Sequence, residues 1–149
     1  MKTGWAQLEN TGGTLNGSAT YEYGIGSTGL TMVSVPPSQP LQSATIPVNN
    51  DTEHGTQTAF AVANPSMQTV DIKLTLMGQN GSVTDDTVTM TLGPGEQVAI
   101  YLWQEIARTN VSNFKGCLVF QGQNGARFVV VALLDKRGLL TAIPVISHL

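Results

Sequence analysis

The feature that most constrains this chain is a series of short apolar and polar alternations separated by glycine and proline. In residues 70–76, VDIKLTL, every second residue is Val, Ile or Leu, and in residues 87–92, TVTMTL, apolar residues alternate with threonine. Such alternation predicts strands with one buried and one solvated face. Asn80-Gly81 lies between the two runs and predicts a tight hairpin turn. Turn signals recurring every eight to twelve residues or so indicate an all-β chain, an antiparallel β-sandwich of immunoglobulin-like or jelly-roll-like type.

Residues 98–105, VAIYLWQE, add a second pattern to this sandwich. As a strand, the segment places Val98 and Ile100 on one face and the rings of Tyr101 and Trp103 on the other. Residues 103–108, WQEIAR, have the spacing of one short helical turn instead. The segment therefore predicts a strand that ends close to Trp103.

Length and charge limit the classes of partner. The 149 residues suit one module over 1–149, and residues 1–3 can be an addition made for expression. Charged residues are 11% of the chain and the net charge is −3, which gives no basic patch for nucleic acid. The longest apolar run, FVVVALL at 128–134, is too short to span a bilayer. No secretory signal is recognised. Because MKTGW leads directly into a strand-like pattern, we expect a module cut from a longer protein with domains linked upstream.

Residues for catalysis and metal binding are sparse. The two histidines are His54 and His148, no G-x-S-x-G motif precedes a helix, and no enzyme activity is expected. No cofactor is expected either, although the oxygen-rich loop NNDTEH at 49–54 is a weak calcium candidate. A polar turn with an Asx cap is the favoured interpretation of that loop. The calcium candidates are Asn49, Asp51 and Glu53.

The aromatic residues supply the candidate binding site. In an extended GWAQLE segment Trp5 shares a face with Gln7 and Glu9, so its indole is expected in solvent, as is that of Trp103. Two tyrosines are expected to face the core: Tyr21 and Tyr101. Exposed flat rings beside amides and carboxylates complement a pyranose, whose C–H faces are apolar and whose rim is hydroxylated. The predicted ligand-binding residues are Trp5, Trp103, Tyr23, Gln7, Glu9 and Gln104.

An alternative interpretation uses the same rings differently. An exposed apolar patch also marks protein interfaces, so the rings of a structural or adhesion module could pack on a protein partner.

Several segments together resemble a known kind of module. LQSATIPV, TAFAVANP at 58–65, LTLMGQNGSV, LGPGEQVAIYL and the closing IPV look like a module at the C-terminal end of large secreted or surface proteins of soil bacteria, acidobacteria especially. The resemblance implies an extracellular β-sandwich. Similar modules attached to glycoside hydrolases bind carbohydrate. We therefore expect a non-catalytic, secreted accessory module that binds plant polysaccharide of the cellulose or β-glucan kind.

Overall fold

The computed structural model describes residues 4–8, 11–14, 17–25, 29–106 and 111–148, without the side chains of 23–25, 29–30 and 85. Within these residues the chain is all-β and antiparallel, with one short α-helix and one 3-10 turn. This confirms the predicted fold class. No helix in the described ranges is long and apolar enough to cross a membrane.

The strands are short and follow one another with brief connections. A four-residue helix, α1, covers Leu102–Glu105, and the 3-10 turn covers Gln123–Gly125. The strands are β1 Ala19–Ile25, β2 Gly29–Val35, β3 Ser43–Asp51, β4 Thr56–Ala63, β5 Val70–Gly78, β6 Val83–Leu92, β7 Gln97–Tyr101, β8 Asn113–Gly122, β9 Val129–Lys136, β10 Leu139–Ile143 and β11 Ile146–Ser147.

The strands β3 to β11 fold into two layers. Pairing gives the order β7-β4-β9-β10 in the first layer and β6-β5-β8-β3-β11 in the second. The layers join where β3 turns into β4, with Asp51 opposite Thr56. Phe60 of the first layer meets Phe120 of the second edge to face, with ring centroids 5.2 Å apart. This contact between layers makes the fold sandwich-like.

The inner faces of both layers carry the apolar half of each alternation. On β5, Val70, Ile72, Leu74 and Leu76 are all buried while Asp71 and Lys73 are exposed. Each such buried side chain contributes about 1.5–3 kcal/mol by leaving water. The alternation predicted for β5 is therefore confirmed.

The hairpin turn predicted at Asn80-Gly81 also forms. Gly81 in the β5–β6 turn has φ 79°, and Asn124 and Gly125 have φ 53° and 77°. These are left-handed conformations, which asparagine and glycine adopt most readily. The Asn80-Gly81 turn therefore closes the β5–β6 hairpin as expected, whereas Asn124-Gly125 lies in the 3-10 turn that leads from β8 in one layer to β9 in the other and closes no hairpin.

The β1–β2 hairpin forms a separate two-stranded sheet that contacts β10 through β2. Val33 and Val35 are buried, and the Leu140 N–H donates to Thr31 Oγ1 at 3.3 Å. Tyr21 lies opposite Val33 on β1 but is 42% exposed. The prediction that Tyr21 faces the core was therefore wrong, because β2 takes the contact with β10 and leaves β1 on the solvent side.

Two local predictions fail. Residues 4–8 form no strand, so the extended segment expected around Trp5 is irregular. The loop expected to begin at Asn49 also begins later than predicted, since β3 continues to Asp51 and the turn itself covers residues 52–55.

Candidate functional site

The turn from β7 into α1 places Trp103 on the surface. Leu102 and Ile106 are fully buried, while Trp103 between them is 48% exposed. The Tyr101 N–H donates to Gln104 Oε1 at 2.7 Å, so the glutamine folds back over the first turn of the helix. Anchoring by the buried leucine thus turns the indole outward.

Two contacts hold the exposed indole in place. Its ring stacks on that of Tyr101, with centroids 6.5 Å apart and planes 15° from parallel. Its Nε1–H donates to Gln57 Oε1 of β4 at 3.1 Å. The Trp103 ring is therefore fixed in orientation while much of its surface stays in solvent.

The Tyr101 ring is fixed in turn by a carboxylate. Its hydroxyl donates to Asp135 Oδ2 of β9 at 2.7 Å, and the Gly138 N–H donates to Asp135 Oδ1 at 2.6 Å. Gln57 and Asp135 lie directly opposite each other on β4 and β9. We call Tyr101, Trp103, Gln57 and Asp135 the aromatic platform.

The position of Tyr101 differs from the predicted one. Its neighbour in the alternation, Ile100, packs against the core, and Tyr101 is half-buried on the outer side of the layer. It was expected inside. Its position instead agrees with the simple alternation of VAIY, which places the aliphatic residues on one face and the tyrosine ring on the other.

Trp5 lies at the opposite end of β7. Its Nε1–H donates to the carbonyl of Gly95 at 2.9 Å, in the turn that precedes β7, and its side chain is 38% exposed. Gly95 has φ 69°, a conformation suited to glycine. Both indoles are exposed, as their polar neighbours predicted, but they occupy the two ends of one strand.

A buried asparagine organises the turn that holds Trp5. Asn64 Nδ2 lies 3.1 Å from the Leu92 carbonyl, 2.9 Å from that of Gly93 and 2.7 Å from that of Gln68. The Gly95 N–H donates to the Asn64 carbonyl at 3.1 Å. The side chain of Asn64 is completely buried, so these bonds are shielded from water.

The other predicted site residues do not gather at one place among the described residues. Gln104 is exposed beside Trp103, and Gln7 is exposed in the segment that carries Trp5. Glu9 and the side chain of Tyr23 lie outside the described residues. Gln57 and Asp135 were missed, because only the order of strands β7, β4 and β9 brings them to the rings, and no local pattern indicates that order.

The calcium candidate resolves into an Asx turn. Asp51 Oδ1 accepts the His54 N–H at 3.1 Å, and His54 Nδ1 lies 2.9 Å from both carboxylate oxygens. These contacts lower the pKa of Asp51, the side-chain bond from His54 having the largest effect. Asn49 and Glu53 are exposed, and among the described residues no three His, Cys, Asp or Glu side chains gather as a metal site. The favoured interpretation as a polar turn fits this geometry.

No family model, curated protein or solved structure matches the chain. The resemblance to secreted soil-bacterial modules thus remains an expectation.

Proposed function

We propose that this chain is a non-catalytic module that binds an uncharged plant-type polysaccharide, of the β-glucan kind, on the aromatic platform. The observation that carries the proposal is the Trp103 indole, half exposed yet held by Tyr101 and Gln57. A ring ordered before the ligand arrives loses little freedom on binding, which favours affinity.

The chemistry around Trp103 suits a neutral sugar. The indole face offers apolar area to the C–H face of a pyranose. The amide of Gln57 lies at the indole edge, and that of Gln104, exposed on the same helical turn, is also suited to hydroxyl groups. The low share of charged residues, 11% of the chain, agrees with a partner that is polar but not ionic. We further propose that the module acts outside the cell as an accessory to linked domains.

Affinity electrophoresis and titration calorimetry test the proposal with barley β-glucan, hydroxyethyl cellulose and xylan as probes. Trp103→Ala is expected to weaken binding about tenfold or more, the loss of roughly 1.4 kcal/mol. Tyr21→Ala is the matched control, because Tyr21 is an exposed ring on the separate β1–β2 hairpin and is expected to leave binding unchanged.

Two results would contradict the proposal. One is no retardation on any of the polysaccharides. The other is a concentration-dependent dimer, seen by light scattering, that disappears in Trp103→Ala, because the ring would then serve a protein interface.

A further inference from the structure

The two exposed indoles mark the ends of a strip along β7. Trp5 is held on the Gly95 carbonyl just before the strand, and Trp103 follows Tyr101 just after it. Six peptide steps separate Gly95 from Tyr101. At about 3.3 Å for each residue, the strip is about 20 Å long.

The surface between the two ends has a floor of alanines. On β4, Phe60 and Val62 are buried between the layers, so Ala59 and Ala61 alternate to the outer face. Ala59 pairs with Tyr101, and Ala61 pairs with Ala99 of β7. Because these side chains end at Cβ, the described part of this strip is shallow between the two ends of β7.

The outer face of the second layer differs. Its β5 strand presents Asp71 and Lys73, and Gln121 of β8 lies opposite Lys73. These long or charged side chains stand up from the sheet. Of the two outer faces, the one along β7 is therefore the better fit for a flat, extended ligand.

We infer that the ligand of the aromatic platform is a linear glycan chain lying along β7, with one sugar against Trp103 and a more distant sugar of the same chain against Trp5. This inference rests on the proposed function and specifies the form of the ligand. Gln97 lies on the same side of β7 as Ala99 and offers an amide to the hydroxyls of the intervening sugars. A single sugar or a chain end would reach one indole only.

A chain-length series tests the inference. Titration with cello-oligosaccharides and laminari-oligosaccharides of increasing length should give an affinity that rises until the ligand spans the strip and then levels off. A ligand long enough to contact Trp5 as well as Trp103 is expected to bind up to about tenfold more tightly. Trp5→Ala should remove that gain for long ligands and leave short ligands unaffected, whereas Trp103→Ala should weaken binding at every length.

An obstructing variant tests the path itself. Ala99→Arg places a long side chain on the exposed floor and should abolish the length-dependent gain. Thr89→Arg is the matched control, since Thr89 is exposed on β6 in the other layer and should preserve the gain. Circular dichroism and thermal unfolding establish that both variants are folded.

The outcomes separate the two proposals. Affinity that does not change with length, or a full gain retained in Trp5→Ala or Ala99→Arg, overturns the linear path while leaving the platform at Trp103. Absence of binding at any length and to the polymers overturns the proposed function as well.

Discussion

The Tyr101 hydroxyl reaches Asp135 across an intervening strand, with 2.7 Å between Tyr101 Oη and Asp135 Oδ2. Tyr101 is on β7 and Asp135 on β9, and β4 lies between them. Ala59, the β4 residue opposite Tyr101, has a side chain small enough to let the ring pass over it. One hydrogen bond therefore ties the edge strand to the centre of its layer and orients the ring on which Trp103 stacks.

Tyr101→Phe removes this hydrogen bond and keeps the ring. We expect the free energy of unfolding to fall by about 0.5–1.5 kcal/mol, the usual net value of such a bond, with somewhat more when the acceptor is charged. Urea unfolding of Tyr101→Phe, Asp135→Asn and the double variant measures the coupling. Independent, additive losses would contradict a direct interaction between the two side chains.

Asn64 and Asn80 offer a matched comparison of buried and exposed asparagines. In both, Oδ1 accepts the N–H and the hydroxyl of a serine two residues later, Ser66 and Ser82 respectively. Asn64 is fully buried and also serves three carbonyls, whereas Asn80 is exposed. Asn64→Ala is expected to cost about 3 kcal/mol in urea unfolding and Asn80→Ala less than about 1 kcal/mol. Equal losses would show that burial does not set the strength of this motif.

The contact between Asp51 and His54 should make the stability of the protein depend on pH. The bond from His54 lowers the pKa of Asp51 below its ordinary value of 3.8. A lowered pKa in the folded state stabilises the protein above the pKa of the unfolded chain, and that contribution is lost as the pH falls through the folded value. The stability that Asp51 contributes should therefore be lost below about pH 4.

His54→Ala should raise the pKa of Asp51 towards its ordinary value, as followed by NMR titration of the carboxyl carbon. His148→Ala serves as the control, because the His148 ring bonds Thr45 instead, at 2.7 Å. An unchanged pKa of Asp51 in His54→Ala would show that another group lowers it.

Gly122 at the end of β8 is predicted to tolerate no side chain. A Cβ there would collide with the backbone carbonyl of Ala126, while the Gly122 N–H is bonded to Gln42 O at 2.8 Å. Gly122→Ala is expected to lower the free energy of unfolding by about 1–3 kcal/mol through forced displacement of the backbone. Gly17→Ala, which meets no atom within 4 Å, is the control for urea unfolding and should have almost no effect. Similar stability of both variants would contradict the steric argument.

Local patterns determined much of the fold in advance. The alternation on β5 places Ile72 and Leu74 inside, and Asn80-Gly81 forms its turn, because period two and positive φ are properties of neighbouring residues. Trp5 could not be placed this way, since a hydrogen bond to Gly95, ninety residues away, determines where it lies. Tyr21 was wrongly assigned to the core, because local alternation does not reveal that β2, and not β1, packs against β10.

The candidate site was likewise predictable only in part from local patterns. The exposure of Trp103 follows from its polar neighbours and from the apolar Leu102 beside it in the sequence. The partners that hold its ring, Gln57 and Tyr101 with Asp135, come from three strands. Their meeting depends on β4 lying between β7 and β9, which alternation within single strands does not determine.

The separate β1–β2 hairpin has a consequence for local opening. An isolated two-stranded hairpin is at best marginally stable in water, and this one contacts the sandwich through β2 and the edge strand β10. We expect it to detach in a sub-global fluctuation while the nine-stranded sandwich stays intact, so its amide protons should exchange with deuterium much sooner than those of Leu74 or Leu118. Detachment would uncover β10, so the rarely populated open form would have an additional sheet edge that the closed molecule keeps covered.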